Sequence, residues 1–237
     1  MSPARLAIAM APVAVAWLAA TVLAYLAGVA LHARARRHPF VNTVAIAVAL
    51  LVPLLLATHT SYADYAASVR PISLLLGPAT VALALPLYRS METLKAAVRP
   101  VAAGVLVGIA ASAGSAVGIG AALGATRVTL RSLAPKSVTT PIAMAVSARV
   151  GGDASLTAVF VITTGIVGAM LVPGLFRLAG IHDARARGVA MGVAAHGLGT
   201  ARAVSLGATE LSFAVLGMSL SCVLTPVLIP LAAQLFP

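Results

Sequence analysis

The side chains that can do chemistry in this chain stand in two short stretches. The first, PKSVTTPIAMAVS at residues 135–147, sets Lys136, Ser137, Thr139 and Thr140 between Pro135 and Pro141. The second carries His196, Thr200 and Arg202 in a glycine-rich run at residues 188–207. An ammonium and several hydroxyls on a proline-broken backbone suit an anion, because the amides freed at the break add donors. A guanidinium grips a carboxylate with two parallel hydrogen bonds, which a lysine cannot do as rigidly. His196 is the type of side chain that titrates nearest neutrality, so it is a candidate for proton coupling. The chemistry these residues suggest is noncovalent recognition of a carboxylate or hydroxycarboxylate. Each also has a plainer reading. Lys136 can snorkel or set topology, and the threonines can bond back to helical carbonyls. Arg202 can end its helix in a loop, and His196 can be a satisfied packing residue. Asn42, Thr80 and Tyr88 are secondary candidates. Glu210 sits at a segment boundary, where it is a solvated charge, a partner for a basic loop or a cation-coupling group.

A catalytic constellation is not legible. The five acidic residues are scattered and offer no paired carboxylates, and the five histidines lack metal-ligand spacing. A phosphate-cradling Walker loop is also missing from the sequence, so ATP-driven pumping by this chain has no support. The expectation is a chain that is not an enzyme and that takes no cofactor and no metal. The lone Cys222 lies in an apolar run and reads as a small buried hydrophobe.

The chemistry-bearing stretches stand out because the rest is so apolar. Of 237 residues, 61% are hydrophobic and 9% charged, against about 25% charged in a soluble domain. This is the composition of an all-α integral membrane protein, and its length allows about seven or eight segments of ~20 residues. The net charge of +11 falls in clusters between apolar runs, as topology determinants do, so nucleic acid is not an expected partner. In such a chain an ionisable side chain is costly unless it faces protein or a water-filled cavity.

The elements that must position the polar stretches follow from the apolar runs. Residues 6–31 form a retained first helix, too long for a signal peptide's core. A basic cluster at 34–38 precedes an apolar run at 41–56 that is interrupted by Pro53. The segment at 73–88, with Pro78 and Pro86, is short and broken for a span. Residues 101–123 and 156–175 are clear spans, and the glycines of the first, with Ser112 and Ser115, give small faces for helix packing. A last apolar run extends to Phe236 and is broken by Pro226 and Pro230. Charge parity adds a constraint. Placing the loops at 34–38 and 89–99 on the cytoplasmic side leaves the arginine-rich loop at 177–187 there only if residues 132–150 dip in and return. The segment is therefore read as re-entrant or strongly broken. A faint echo pairs residues 39–48 with 135–144 and residues 77–80 with 196–200. It divides the chain into repeat halves at about 39–124 and 133–237, as in inverted-repeat transporters.

These stretches resemble the LrgB family, also called CidB/LrgB or antiholin-like. The resemblance rests on LLGPATVALALPLY at 75–88, PKSVTTPIAMAVS at 135–147, Gly151-Gly152 with SLTAVFVITTGIVGA at 155–169, and ARGVAMGVAAHGLGTARA at 186–203. It covers residues 40–235, within a single membrane domain spanning 1–237. Family members often have Ser where this chain has Ala195, and a different run after Glu210, which bears on substrate preference. The resemblance implies two functions. One is a holin/antiholin-like regulator of murein hydrolase export and autolysis, acting with a small LrgA-type membrane protein. The other follows the plastid glycolate/glycerate translocator and bacterial relatives linked to pyruvate and other short carboxylates. The residues favour a carboxylate carrier working by alternating access in a bacterial inner membrane, with proton coupling and homo-oligomer formation as further expectations. A holin does not need a lysine, a histidine and an arginine held in broken segments.

Overall fold

The computed structural model describes residues 3–35, 38, 41–75, 78, 82, 88 and 91–235, and among them the only regular structure is helical. The chain divides into two compact units, residues 1–83 and 84–237.

The first unit contains α1 (Pro3–Arg34), α2 (Thr43–Ala57), α3 (Tyr62–Ser68) and α4 (Arg70–Leu74). Helix α2 begins where Asn42 accepts hydrogen bonds from the backbone N–H groups of Val44 and Ala45, satisfying two of the donors that a helix start leaves open. Ala24 of α1 packs on Ala47 and Leu51 of α2. Tyr65 of α3 reaches α1, where its ring meets Trp17 edge-on and its hydroxyl lies 3.1 Å from that of Thr21. Helices α2 and α3 bend by 120° across a break that includes His59 at φ 51.

The second unit contains α5 (Met91–Ala96), α6 (Val98–Ala122), α7 (Arg127–Leu133), α8 (Thr140–Arg149), α9 (Ala154–Leu178), α10 (Ala184–Ala203) and α11 (Ala208–Leu235). Four described helices are long and apolar enough to cross a membrane, in α1, α6, α9 and α11, or five if α2 and α3 form one bent span. The polar stretches at 132–150 and 188–207 form shorter or broken elements, and most of residues 76–90 lies outside the described residues. The spans leave large apolar side chains uncovered: Val159 is 57% exposed and Val223 67%. Surfaces of this kind face lipid, since water would oppose them. Pro226 and Pro230 do not break the last helix, which runs to Leu235 through both. Proline costs a helix a hydrogen bond, but membrane helices tolerate it where neighbours resatisfy the freed carbonyls.

Two elements of this unit reverse direction. Asp153 N–H donates to Ser132 Oγ at 2.8 Å, so the chain leaves through α7, turns at residues 134–139, and comes back through α8 to where it began. Thr157 Oγ1, fully buried, lies 2.7 Å from Ser147 Oγ and 3.2 Å from the Ser132 carbonyl, tying the feet of this reversal to the start of α9. The chain thus folds back on itself between residues 132 and 153, the geometry that a dip-and-return requires. The second reversal lies inside α10, which breaks at His196 (φ 40, ψ −126). In a straight helix residues eight apart are about 12 Å apart along the axis. Here Gly199 abuts the Met191 carbonyl, with so little room that a Cβ would collide with it. Arg187, near the start of α10, forms an ion pair with Glu210, near the start of α11.

The two reversals point at each other. The feet of the first sit at the start of α9, whereas Met191 and Ala203 of the second pack with Val172 and Phe176 near its end. Both tips reach the interior of α9: Val138 packs on Val161, and the His196 ring bonds to the Val161 carbonyl. The visible pairing is thus between residues 127–178 and 184–235, both later in the chain than residues 39–124, the first of the two expected halves. Most of residues 77–80, the expected counterpart of residues 196–200, lies outside the described residues.

Candidate functional site

Helix α6 supplies the wall on which the first tip rests. The Lys136 ammonium donates to Ser112 Oγ of α6 at 3.0 Å and lies 3.3 Å from Ser137 Oγ, and the two serine hydroxyls are 2.5 Å apart. Lys136 has no carboxylate partner among the described residues; its salt-bridge role is filled by two neutral oxygens. Thr139 occupies the N-cap position of α8 but its side chain caps nothing, and Pro141 removes one amide from the first turn. Its Oγ1 instead faces Cys222 Sγ of α11 at 3.6 Å. The positive end of the α8 dipole therefore points into the same interior region as Lys136. Thr140 follows as the first helical residue and is half-buried.

His196 forms the second tip. Its Nε2 lies 3.0 Å from the Val161 carbonyl, which can only accept, so Nε2 carries a proton and the lone pair of the neutral ring is on Nδ1. The ring fits because residue 165 has no side chain: a Cβ on Gly165 would stand 2.7 Å from Cε1. A histidine at φ 40 is sterically strained, a state that persists only where surrounding structure over-determines it and that clusters at functional sites. The two tips share Val161 of α9: Val138, two residues past Lys136, packs on it, and its carbonyl holds the His196 ring.

The remaining candidates fall elsewhere. Thr200 is buried, and its hydroxyl donates to the His196 carbonyl at 2.9 Å, the plain back-bonding role, with Met218 Sδ at 3.7 Å. Arg202 stands six residues past the tip, on the returning half, beside Ala203 that packs near the end of α9. Its Nε is buried without a partner, and no contact among the described residues joins it to Lys136. Glu210 is 5% exposed and paired with Arg187, so it is neither solvated nor free. Asn42 caps α2 in the first unit. Tyr88 is exposed, and Thr80 lies outside the described residues. Sequence reasoning took Ser112 for a packing residue and assigned no site role to Gly165 or Cys222. A hydroxyl in a run of alanine and glycine was the one available signal for Ser112.

At the α6-start end, the loop before α10 carries Asp183, whose carboxylate caps α10 and bonds Arg185 at 3.2 Å. The Arg185 guanidinium, then the backbone N–H groups, hold its pKa below the ordinary carboxylate value. Such capping is present above the unfolded pKa and is lost as pH falls through the lower folded one. Among the described residues no cluster of three metal-ligating side chains occurs.

The apolar spans and the paired reversals define a multi-pass, all-α membrane protein. The LrgB-like family model matches residues 21–235, and the chain belongs to that family. It is 38% identical over 216 residues to YxaC of Bacillus subtilis, an uncharacterized protein, covering 91% of this chain and 94% of the relative. It is 33% identical over 199 residues to the holin-like protein CidB of Staphylococcus aureus, and 32% identical over 199 residues to CidB of Staphylococcus epidermidis, covering 84% of this chain and 87% of the relative in each case. No solved structure matches the chain.

Proposed function

We propose that this protein carries short hydroxy- or ketocarboxylates, of the glycolate, glycerate, pyruvate or lactate class, across the bacterial inner membrane by alternating access. The observation that carries the reading is the Lys136 ammonium held by Ser112 and Ser137 at the tip of a reversing element, whose Val138 packs on the same Val161 that holds the strained His196 of an opposed one. A carboxylate entering this region can take the place of the serine oxygens on Lys136. The uncapped start of α8 and the Thr139 hydroxyl stand on the same tip and supply further donors. His196 Nδ1 is left with the ring lone pair, the place where a co-transported proton would bind. Arg202, whose Nε is buried without a partner on the returning half of its reversal, is a second anion contact.

The rival reading is a holin-like regulator that works through membrane partners, including an LrgA-type protein or a second copy of this chain. Its support is the similarity to relatives named as holin-like protein CidB. Uptake of labelled glycolate, pyruvate and lactate into proteoliposomes containing only this chain separates the two. The carrier reading expects saturable flux that Lys136→Ala reduces by about ten- to a hundredfold, since a charge-assisted bond to the substrate contributes roughly 1.5–3 kcal/mol. Absence of saturable flux, with and without an LrgA-type partner, ends it in favour of the regulator.

A further inference from the structure

Helix α6 is flanked by two grooves that approach from opposite ends of the second unit. One, of about 630 Å³, opens beside Asp183 and Arg185, runs between Gly104 and Gly108 of α6 and Val189 and Val193 of α10, and reaches Ser112. The other, of about 490 Å³, opens beside Arg127 and Arg131, runs between Gly114 and Gly118 of α6 and the end of α11, and reaches Ala113 and Ala134. Their inner ends are consecutive residues of one helix. Between them stands the Lys136–Ser112–Ser137 knot, the ammonium on the hydroxyl that terminates the first groove, two residues past the alanine that lines the second.

We infer that Ser112 is a substrate-contacting residue, and that with Lys136 and Ser137 it forms a single anion-binding floor shared by two vestibules, each reached from a different side of the membrane. This rests on the carrier reading and adds to it the path and a binding residue. Three features point to an anion as the occupant. Arg127 and Arg131 at the second mouth have no carboxylate partner among the described residues, whereas Arg185 at the first is paired with Asp183. The polar groups at the junction are a lysine and two hydroxyls, with no acid. The hydroxyl–hydroxyl–ammonium contact is what a carboxylate replaces: one oxygen on Nζ and the other accepting from Ser112 or Ser137. The same contact lies between the inner ends of the two vestibules.

Single cysteines in a Cys222→Ala background test this with a membrane-impermeant maleimide applied to right-side-out and inside-out vesicles. Ala190→Cys should react from the Arg185 face only, and Val117→Cys from the opposite face only. Ser112→Cys should react in folded protein, and pyruvate or glycolate at about ten times the half-saturating concentration should slow it about tenfold, since about a tenth of the sites then stay free. Glycerol at equal concentration should not. Labelling of Ala190→Cys and Val117→Cys from one common face, no labelling of either, or a Ser112→Cys rate unmoved by carboxylate overturns the inference. A denatured sample that labels fully shows that each cysteine is present. As a second readout, Ser112→Ala should raise the half-saturating concentration with little loss of maximal flux, and Ser112→Thr should recover it. If uptake is saturable but the labelling pattern fails, only the shared floor is wrong. If pattern and protection hold without flux, the carrier reading is wrong and the binding floor stands.

Discussion

The ammonium of Lys136 and the ring of His196 are held in different ways, and the difference is testable. Lys136 is satisfied by exchangeable hydroxyls, so its partners can give way to a ligand. His196 is locked by a carbonyl bond, by the absent side chain at Gly165 and by a backbone conformation at φ 40 that glycine adopts freely and other residues resist. Within a helix alanine is better than glycine by about 1 kcal/mol. At position 196 the order should reverse: His196→Gly should unfold at a higher temperature than His196→Ala, by roughly 1 kcal/mol of relieved strain, while both lose flux. Thermal unfolding in detergent reads this directly, and an alanine variant as stable as the glycine one would contradict the strain. Lys136, Ser137, Thr139 and His196 were legible in the sequence because polar groups in an apolar chain need a reason. Ser112 was not, since a small hydroxyl between alanines has the same composition whether it packs or binds.

At the scale of elements, the reversals depend on polar clamps at their feet. Ser132, Ser147, Thr157 and Asp153 tie α7, α8 and the start of α9. The Arg187–Glu210 pair ties the start of α10 to that of α11. Glu210 is almost fully buried, so removing it strands a cation whose Nε already lacks a partner. A fully buried pair broken on one side costs about 3–5 kcal/mol, and the 31% exposure of the Arg187 side chain reduces that to on the order of 2. Glu210→Ala should lower the melting temperature accordingly. The double variant Arg187→Met, Glu210→Met should recover most of the loss, because two apolar side chains leave no charge unpaired. A double variant no more stable than the single one would show that the pair does not act as a clamp.

At the scale of the molecule, the paired reversals set the topology of the second unit. Helix α6 runs from the end where Asp183 and Arg185 stand to the end where Arg127 and Arg131 stand, and α9 runs back. The loops before α6 and before α10 therefore share one side. That side carries Lys95, Arg99, Arg177, Arg185 and Arg187, the richer basic set, so it should face the cytoplasm. Cysteines introduced at Lys95 and Arg185 should react with an impermeant reagent in inside-out vesicles only, and one at Arg149 in right-side-out vesicles only. Reaction of Lys95→Cys and Arg185→Cys from opposite faces would mean that residues 132–150 cross the membrane.

The sequence by itself determined the class of the molecule, the main spans to within a few residues, and which two stretches were too polar to be plain membrane helices. Those follow from desolvation, which acts on composition and is local in the chain. Only the tertiary structure decided that the two polar stretches reverse from opposite ends onto one stretch of α9, that Lys136 finds Ser112 on α6, and that Thr200 spends its hydroxyl on the His196 carbonyl. Those are meetings of residues up to 35 positions apart. They depend on where a helix breaks and on which neighbour lacks a side chain, quantities that composition and periodicity do not carry.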